Sequence, residues 1–412
     1  MEPTCIKLKK NKMPTSIKID FILLAAKSLH ESGLPTHRVE DFIQEFCVSV
    51  EVEAELFTTP GSIFASILND GVKQPHLVKV SQEGDLSLEK IDAIQEVCKN
   101  VSETSLDFST GLKQLQAINQ EKSRYPNWVM TLFFGLSTGS AACVFGGNLP
   151  EIICSLLIGL GIGIFQGVLA SIPRFGKLFV LISAVWACCV AALFQSYYVN
   201  FQRDIATVCG LIILIPGFSF TVSITEMVNN HLIAGLTRFT NAFITFAMIA
   251  IGIALGMKCM GHLSLPVPEI TESVIPSWSK WIALFFVPLG FMILFKAKQA
   301  DFGWILFACW CSYFSYVIVI KYFSEPVAVF LASLLLGLVS NLFSRIQKRN
   351  SSLMLVPGMI LLVPGSLGFF SISHLVNSDV LAGIQTALTM LTTAMALVFG
   401  ILFSNILVRA ER

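Results

Sequence analysis

From residue 128 to residue 408 the chain is a succession of apolar runs, each near the roughly 20 residues an α-helix needs to cross the hydrocarbon of a bilayer. Backbone in lipid must satisfy its own hydrogen bonds, so this pattern restricts the region to a bundle of membrane-spanning helices. Of the 412 residues, 54% are hydrophobic and 13% charged, against about 25% charged in soluble domains. The charge is unevenly placed. Residues 1–125 hold many of the Lys, Glu and Asp, which predicts an N-terminal cytosolic domain joined to a polytopic membrane protein.

A net charge of +1 selects no partner, and no basic stripe or aromatic platform points to nucleic acid. The start, MEPTCIKLKKNKMPTSIKIDF, has Lys but no sustained apolar core, so it does not read as a cleaved signal peptide. Eleven Cys are scattered without metal spacing, which favours small buried apolar residues over ligands.

Within residues 1–125, SIKIDFILLAAKSLHESG and PTHRVEDFIQEFCVSV have helical periodicity, as do SLEKIDAIQEVCKNV and the stretch from Asp107 to about Lys122. VEVEAELFTTPGSIFASI and HLVKVS read as strands, with a turn at Pro60–Gly61. A small α+β domain is expected. Beyond it, five spans are expected near 128–146, 150–170, 177–195, 205–221 and 236–257, then five near 280–296, 302–320, 326–344, 352–371 and 380–408. The expected divisions are 1–125, a first membrane repeat over 126–262, an external loop over 263–279 and a second repeat over 280–412.

Orientation follows from the basic residues. Lys122/Arg124, Arg174/Lys177, Lys296/Lys298, Arg345/Lys348/Arg349 and Arg409/Arg412 fall at alternate span ends. The other ends, with Glu151, Arg203/Asp204, a loop holding Lys258, Glu269, Glu272 and Lys280, then Lys321/Glu325 and Asp379, are mixed or acidic. The positive-inside rule then puts both termini in the cytoplasm; the inner (plasma) membrane is the expected location.

Two segments inside the apolar region repeat. Ile215–Leu236 reads IPGFSFTVSITEMVNNHLIAGL, and Val363–Ile384 reads VPGSLGFFSISHLVNSDVLAGI. They align without gaps at an offset of 148 (364 − 216 and 383 − 235): Pro216 with Pro364, Ser223 with Ser371, Asn229 with Asn377, Gly235 with Gly383. Each repeat holds five spans, an odd number, so the second enters the membrane in the opposite sense. An all-α bundle of about ten helices in two inverted five-helix repeats is expected, an architecture that permits alternating access.

Proline lacks an amide donor and glycine weakens a helix, so Pro216–Gly217 and Pro364–Gly365 are expected to break their spans. Freed amides and half-helix ends can bind a small polar or anionic solute; a simple packing kink is the alternative. After the breaks come Ser219, Ser223, Glu226 and Asn229, then Ser371, His374, Asn377 and Asp379. The hydroxyls can equally bond their own helix. Glu226 and the repeat-equivalent His374 are candidates for a protonatable coupling site, because a carboxylate in hydrocarbon is costly; solvated interfacial residues are the competing reading. Arg238 pairs with Glu226 or a substrate carboxylate, or serves as a topology charge. GLGIGIFQG (159–167) lacks the Lys-Ser/Thr ending of a phosphate loop, and no enzyme motif or nucleotide-binding motif is present.

LHESGLPTHRVEDFI (29–43), AELFTTPGSIFASI (54–67), RYPNW (124–128) and the two Pro-Gly segments together resemble the threonine/serine exporter (ThrE) family over most of the chain, in its fused form. The resemblance implies a ten-span secondary exporter of small hydrophilic amino acids, driven by an ion gradient with H+ as the coupling ion. It also implies an acidic residue after the first Pro-Gly, a role Glu226 fits. The alternatives are an exporter of C4-dicarboxylates such as succinate, and a membrane-anchored sensor or enzyme acting through residues 1–125. The partners expected are a small-molecule substrate and the lipid bilayer, with homo-oligomerisation open; no cofactor, metal or nucleic acid is expected.

Overall fold

The computed structural model describes residues 15–69, 72–80, 86–121, 124–169, 176, 178–198, 200–260, 275–276, 278–376 and 378–408. Lys122, Arg174, Lys177, Glu269, Glu272, Asn377, Arg409 and Arg412, and most of the expected external loop, lie outside the described residues. The chain divides into two compact units, Met1–Lys122 and Ser123–Arg412.

The first unit runs α1 (Thr15–Glu31), α2 (Thr36–Ser49), β1 (Ala54–Thr59), β2 (Ser62–Asn69), β3 (Val72–Lys79), α3 (Leu88–Ser102) and α4 (Phe108–Gln120). The strands form one antiparallel sheet in the order β1-β2-β3. Alternation puts Ile63, Ala65 and Ile67 of β2 into a core with Phe21, Ile22, Ile43, Ile91 and Leu115 of the helices. Glu40, in the HRVE stretch, ties α2 to β1: it accepts from the Thr58 backbone N–H at 2.5 Å and from its hydroxyl at 2.6 Å. That motif therefore fixes a helix-to-sheet corner. Asp107 caps α4 by accepting from the Ser109 N–H at 3.2 Å.

Cys47 and Cys98 lie in this core, and burial pushes the Cys47 thiol up to about 12 and raises Cys98 as well. Only the thiolate is a nucleophile. Iodoacetamide at pH 7 is expected to label Cys47 about a thousandfold more slowly than a free thiol, since each pKa unit costs a factor of ten. Peptide mass spectrometry checks this, and both cysteines should become reactive on unfolding.

The second unit contains α5 (Asn127–Val144), α6 (Leu149–Leu169), α7 (Phe179–Tyr197), α8 (Arg203–Leu211), α9 (Gly217–Val228) and α10 (Leu232–Met260). It continues with α11 (Ser279–Leu294), α12 (Phe302–Val319), α13 (Glu325–Gln347), α14 (Ser352–Leu362), α15 (Gly365–Val376) and α16 (Val380–Leu407). Among the described residues seven segments are long and apolar enough to cross a membrane: α6, α7, α10, Gln299–Val319, α13, Ser352–Leu375 and α16. The protein is thus a mostly helical, polytopic membrane protein. Three of the ten expected spans fall short of that measure for visible reasons. Gly, Ser and Thr dilute α5, α11 has 16 residues, and the fourth expected span is divided between α8 and α9.

Packing directions follow from close contacts. α5 and α6 run antiparallel, with Gly135 against Leu160 and Gly163 against Thr131. α7 and α10 run parallel, Gly252 sitting on Ala184 and Gly256 on Cys188. α13 and α16 do the same, with Gly400 on Ser333 and Gly337 on Ser404; Asn341 extends that contact by donating to Asn405 Oδ1 at 2.8 Å and the Val408 carbonyl at 2.7 Å. α5 also lies along α11, in antiparallel sense: Tyr125 meets Ala297, Ser137 meets Gly290 and Cys143 meets Ser279.

Two buried acids fix corners of this unit. Glu151, at the start of α6, accepts from the Asn148 and Gln202 N–H groups, both at 2.8 Å. Asp301, just before α12, receives both guanidinium nitrogens of Arg349 at 2.6 and 3.1 Å.

Candidate functional site

Both Pro-Gly pairs fall at helix interruptions. α8 ends at Leu211 and α9 begins at Gly217; α14 ends at Leu362 and α15 begins at Gly365. The local geometry is the same at each: the Gly217 N–H donates to the Ile215 carbonyl at 2.8 Å, and that of Gly365 to Val363 at 2.8 Å. The first intrahelical bonds then run from Phe220 to Pro216 and from Gly368 to Pro364. The N–H groups of Phe218 and Ser219, and of Ser366 and Leu367, precede those bonds and have no intrahelical acceptor.

The two breaks meet. A methyl group on Gly217 would stand 2.5 Å from Val363 Cγ1 and 2.9 Å from Gly365 Cα, and one on Gly365 would stand 3.0 Å from Ile215 Cγ2. Each glycine faces the other, and each also faces the residue two before the other, the reciprocity of a two-fold contact. Two helix N-termini, each carrying partial positive charge, are therefore brought together in the apolar core formed by Ile215, Phe220, Phe246 and Phe369. In this conformation the glycines pack directly, with no solute-sized gap between them.

The ends of α9 and α15 match as well. Asn230 and Ser378 have φ of 66° and 65°, and they are 148 residues apart (378 − 230). The His231 N–H donates to the Glu226 carbonyl and that of Asp379 to His374, both at 2.9 Å. Gly235 packs on the Ser223 carbonyl and Met227, and Gly383 on the Ser371 carbonyl and Leu375.

The predicted polar residues divide by what they touch. The Ser223 hydroxyl donates to the Phe220 carbonyl at 2.6 Å and the Asn229 amide to Thr225 at 2.8 Å, so both serve their own helix. Ser371 instead donates to the Gly383 carbonyl at 2.7 Å, joining α15 to α16. Ser219 is half-buried beside the break. Glu226 has no exposed surface and pairs with Arg238 Nε at 3.0 Å; the Arg238 side chain is 12% exposed. Its repeat-equivalent His374 pairs with Asp379 at 3.8 Å, with those side chains 43% and 57% exposed. Asp379 also caps α16, accepting from Ala382 N at 3.3 Å. The structure thus gives Glu226 and His374 separate partners in different surroundings. Asn377 lies outside the described residues.

Three features escaped sequence reasoning. Glu151 and Asp301 find partners 51 and 48 residues away, distances no local pattern reveals. The entries to α5 and α11 are YPNW and IPSW, at an offset of 150 (276 − 126 and 278 − 128). That match was in plain view but differs from the 148 that aligns the breaks. A surface depression lined by Gln195, Phe201, Gln202, Arg203, Asp204 and Ile205 lies at the α7–α8 corner, the opposite end of α8 from the break. The helix breaks and the buried ion pair are the better candidate, because they join unusual backbone to charge inside an apolar core.

The threonine/serine exporter (ThrE) family model matches residues 20–260, and a second model, described as "Threonine/Serine exporter, ThrE", matches residues 280–407. The chain belongs to the threonine/serine exporter family. Pheromone-regulated membrane protein 10 of Eremothecium gossypii is 23% identical over 95% of this chain and 54% of its own length. The Kluyveromyces lactis protein of that name is 25% identical over 89% of this chain and 39% of its own. For the Saccharomyces cerevisiae protein the figures are 24%, 90% and 48%. This chain therefore spans about half the length, or less, of those relatives. No solved structure matches it.

Proposed function

We propose that this chain is a secondary active exporter of small hydrophilic amino acids of the threonine/serine type. It works by alternating access between two inverted five-span halves, α5–α10 and α11–α16, in the inner (plasma) membrane with both termini cytoplasmic. The observation that carries the reading is the reciprocal packing of Gly217 on Gly365, at breaks 148 residues apart. The antiparallel course of α5 along α11 supports the inversion, since these helices open the two halves. The shared pairing of third with fifth helix, α7 with α10 and α13 with α16, supports the repeat. Aromatic side chains at helix ends also agree: Trp128 and Trp304 fall at the cytoplasmic ends, and Tyr197, Trp278 and Tyr322 at the opposite ends, all exposed.

In this reading the solute enters where the two N-termini meet once the halves separate. The amides of Phe218, Ser219, Ser366 and Leu367 then take its carboxylate, as half-helix ends do in other carriers. Glu226 is the protonatable group that couples the step to H+, with Arg238 as the cation it exchanges against. Inside-out vesicles containing the protein are expected to accumulate labelled threonine when energised and to lose it with a protonophore. Succinate that competes where threonine and serine do not would transfer the assignment to C4-dicarboxylates. No uptake of any amino acid or dicarboxylate would refute export.

A further inference from the structure

The entries to α5 and α11 are built alike. Tyr125-Pro126-Asn127-Trp128 and Ile275-Pro276-Ser277-Trp278 correspond at an offset of 150. In both the N–H three residues after the proline donates to the proline carbonyl at 3.0 Å, Val129 to Pro126 and Ser279 to Pro276. The helix exits correspond at the same offset. Gly146 and Lys296 both take positive φ, 84° and 51°. The Gly147 N–H closes on Ala142 at 2.9 Å as that of Ala297 closes on Met292 at 2.8 Å.

Because α5 and α11 are antiparallel, each entry faces the other helix's exit. At one end of the seam Tyr125 Oη donates to the Ala297 carbonyl at 2.8 Å, with Tyr125 7% exposed and Ala297 fully buried. The equivalent position at the other end is Ile275, which has no donor to offer Gly147. That end holds instead a contact from Cys143 Sγ to Ser279 Oγ at 3.5 Å, a weak thiol interaction. The backbone frame is the same at both ends of the seam, and the Tyr125 hydroxyl has no side-chain counterpart at Ile275.

We propose that Tyr125 is a positioning residue, a clasp that holds the two halves together at the Tyr125 end and makes the exchange between the two open states unequal. This rests on the alternating-access reading. A symmetric pair of halves would open equally at either end. A full buried hydrogen bond at one end against a weak thiol contact at the other biases opening toward the thiol end, because a carbonyl stripped of its donor in a dry interface is costly. Under the proposed orientation the clasped end is cytoplasmic.

The test is Tyr125→Phe in the full chain, reconstituted in nanodiscs, with amide hydrogen exchange read without substrate. Phenylalanine keeps the ring and removes one oxygen. Exchange in peptides covering the start of α5 and the end of α11 is expected to rise about 2- to 10-fold, the shift that one net hydrogen bond supports. Peptides covering the end of α5 and the start of α11 are expected to stay unchanged. No change at either end, or an equal rise at both, overturns the clasp. Its fate is separable from that of the export reading: an end-specific rise with no solute moved in vesicles leaves the clasp standing and removes export.

Discussion

Arg238→Ala is expected to be among the most damaging single changes in the protein. It removes the guanidinium 3.0 Å from a carboxylate that has no exposed surface, and breaking a buried pair from one side costs about 3–5 kcal/mol. Unfolding in detergent should therefore begin well below the wild-type temperature, and yield should fall. Glu226→Gln is milder for the fold, because the amide oxygen still accepts from Arg238, but it removes the titratable group. The structural and functional contributions separate in a cycle. If the pair only holds α9 to α10, Glu226→Leu combined with Arg238→Met should recover both stability and export, as apolar replacements of buried pairs often do. If Glu226 carries the coupling proton, the double variant recovers stability while export driven by a pH gradient stays lost. Thermal unfolding of the purified variants and threonine accumulation in vesicles read the two quantities separately; recovery of both would withdraw Glu226 from the mechanism.

That one-sidedness bears on how two similar halves would make a directional device under the proposed function. The positions equivalent to Glu226 and Arg238 are His374 and Thr386 (374 − 226 and 386 − 238). Thr386 bonds its own helix at the Ala382 carbonyl, 2.8 Å away, and His374 meets Asp379 near the surface. The backbone frame is duplicated while the buried charge is not. The same contrast recurs at the corners. Glu151 is held by backbone N–H groups, whereas Asp301, 150 residues on, is held by the Arg349 side chain. On the proposed alternating-access reading, duplication supplies two gates of one shape, and side-chain divergence makes them unequal.

Part of this was readable in the sequence, for reasons specific to the residues. Pro-Gly at 216 and 364 declares itself because few other residues interrupt a helix, and Ala-Gly at 234 and 382 recurs because each glycine must pass a carbonyl of the preceding half-helix. Those constraints act on the backbone, so they keep residue identity. The α5 and α11 entries escaped because Tyr and Ile share no chemistry and the spacing between halves shifts from 150 to 148 along the repeat. The hydroxyls were ambiguous in sequence for a physical reason as well. Ser223 and Ser371 are aligned, yet one bonds its own turn and the other crosses to the next helix, a choice set by how closely the neighbouring carbonyl approaches.

Gly217→Val is expected to be the most disruptive substitution at the junction itself. Even an alanine methyl there would stand 2.5 Å from Val363 Cγ1, which can rotate away, and 2.9 Å from the Gly365 backbone, which cannot. Valine adds two further carbons at a helix start packed against another helix start. Overpacking of this kind costs about 1–3 kcal/mol in cores that can adjust, and backbone against backbone leaves little to adjust, so the upper end applies. Gly365→Ala should be tolerated better, since its nearest neighbour is the Ile215 side chain at 3.0 Å and the Gly217 backbone is 3.6 Å away. The ordering Gly217→Val, then Gly217→Ala, then Gly365→Ala in loss of thermal stability follows from that asymmetry. The same series tests whether the junction moves during transport. If the halves separate here to admit solute, Gly365→Ala should slow threonine export while leaving unfolding temperature nearly unchanged, because it alters the fit of the closed state without removing any hydrogen bond. If export and stability instead fall in proportion across all three variants, the junction is a fixed packing element and the solute passes elsewhere.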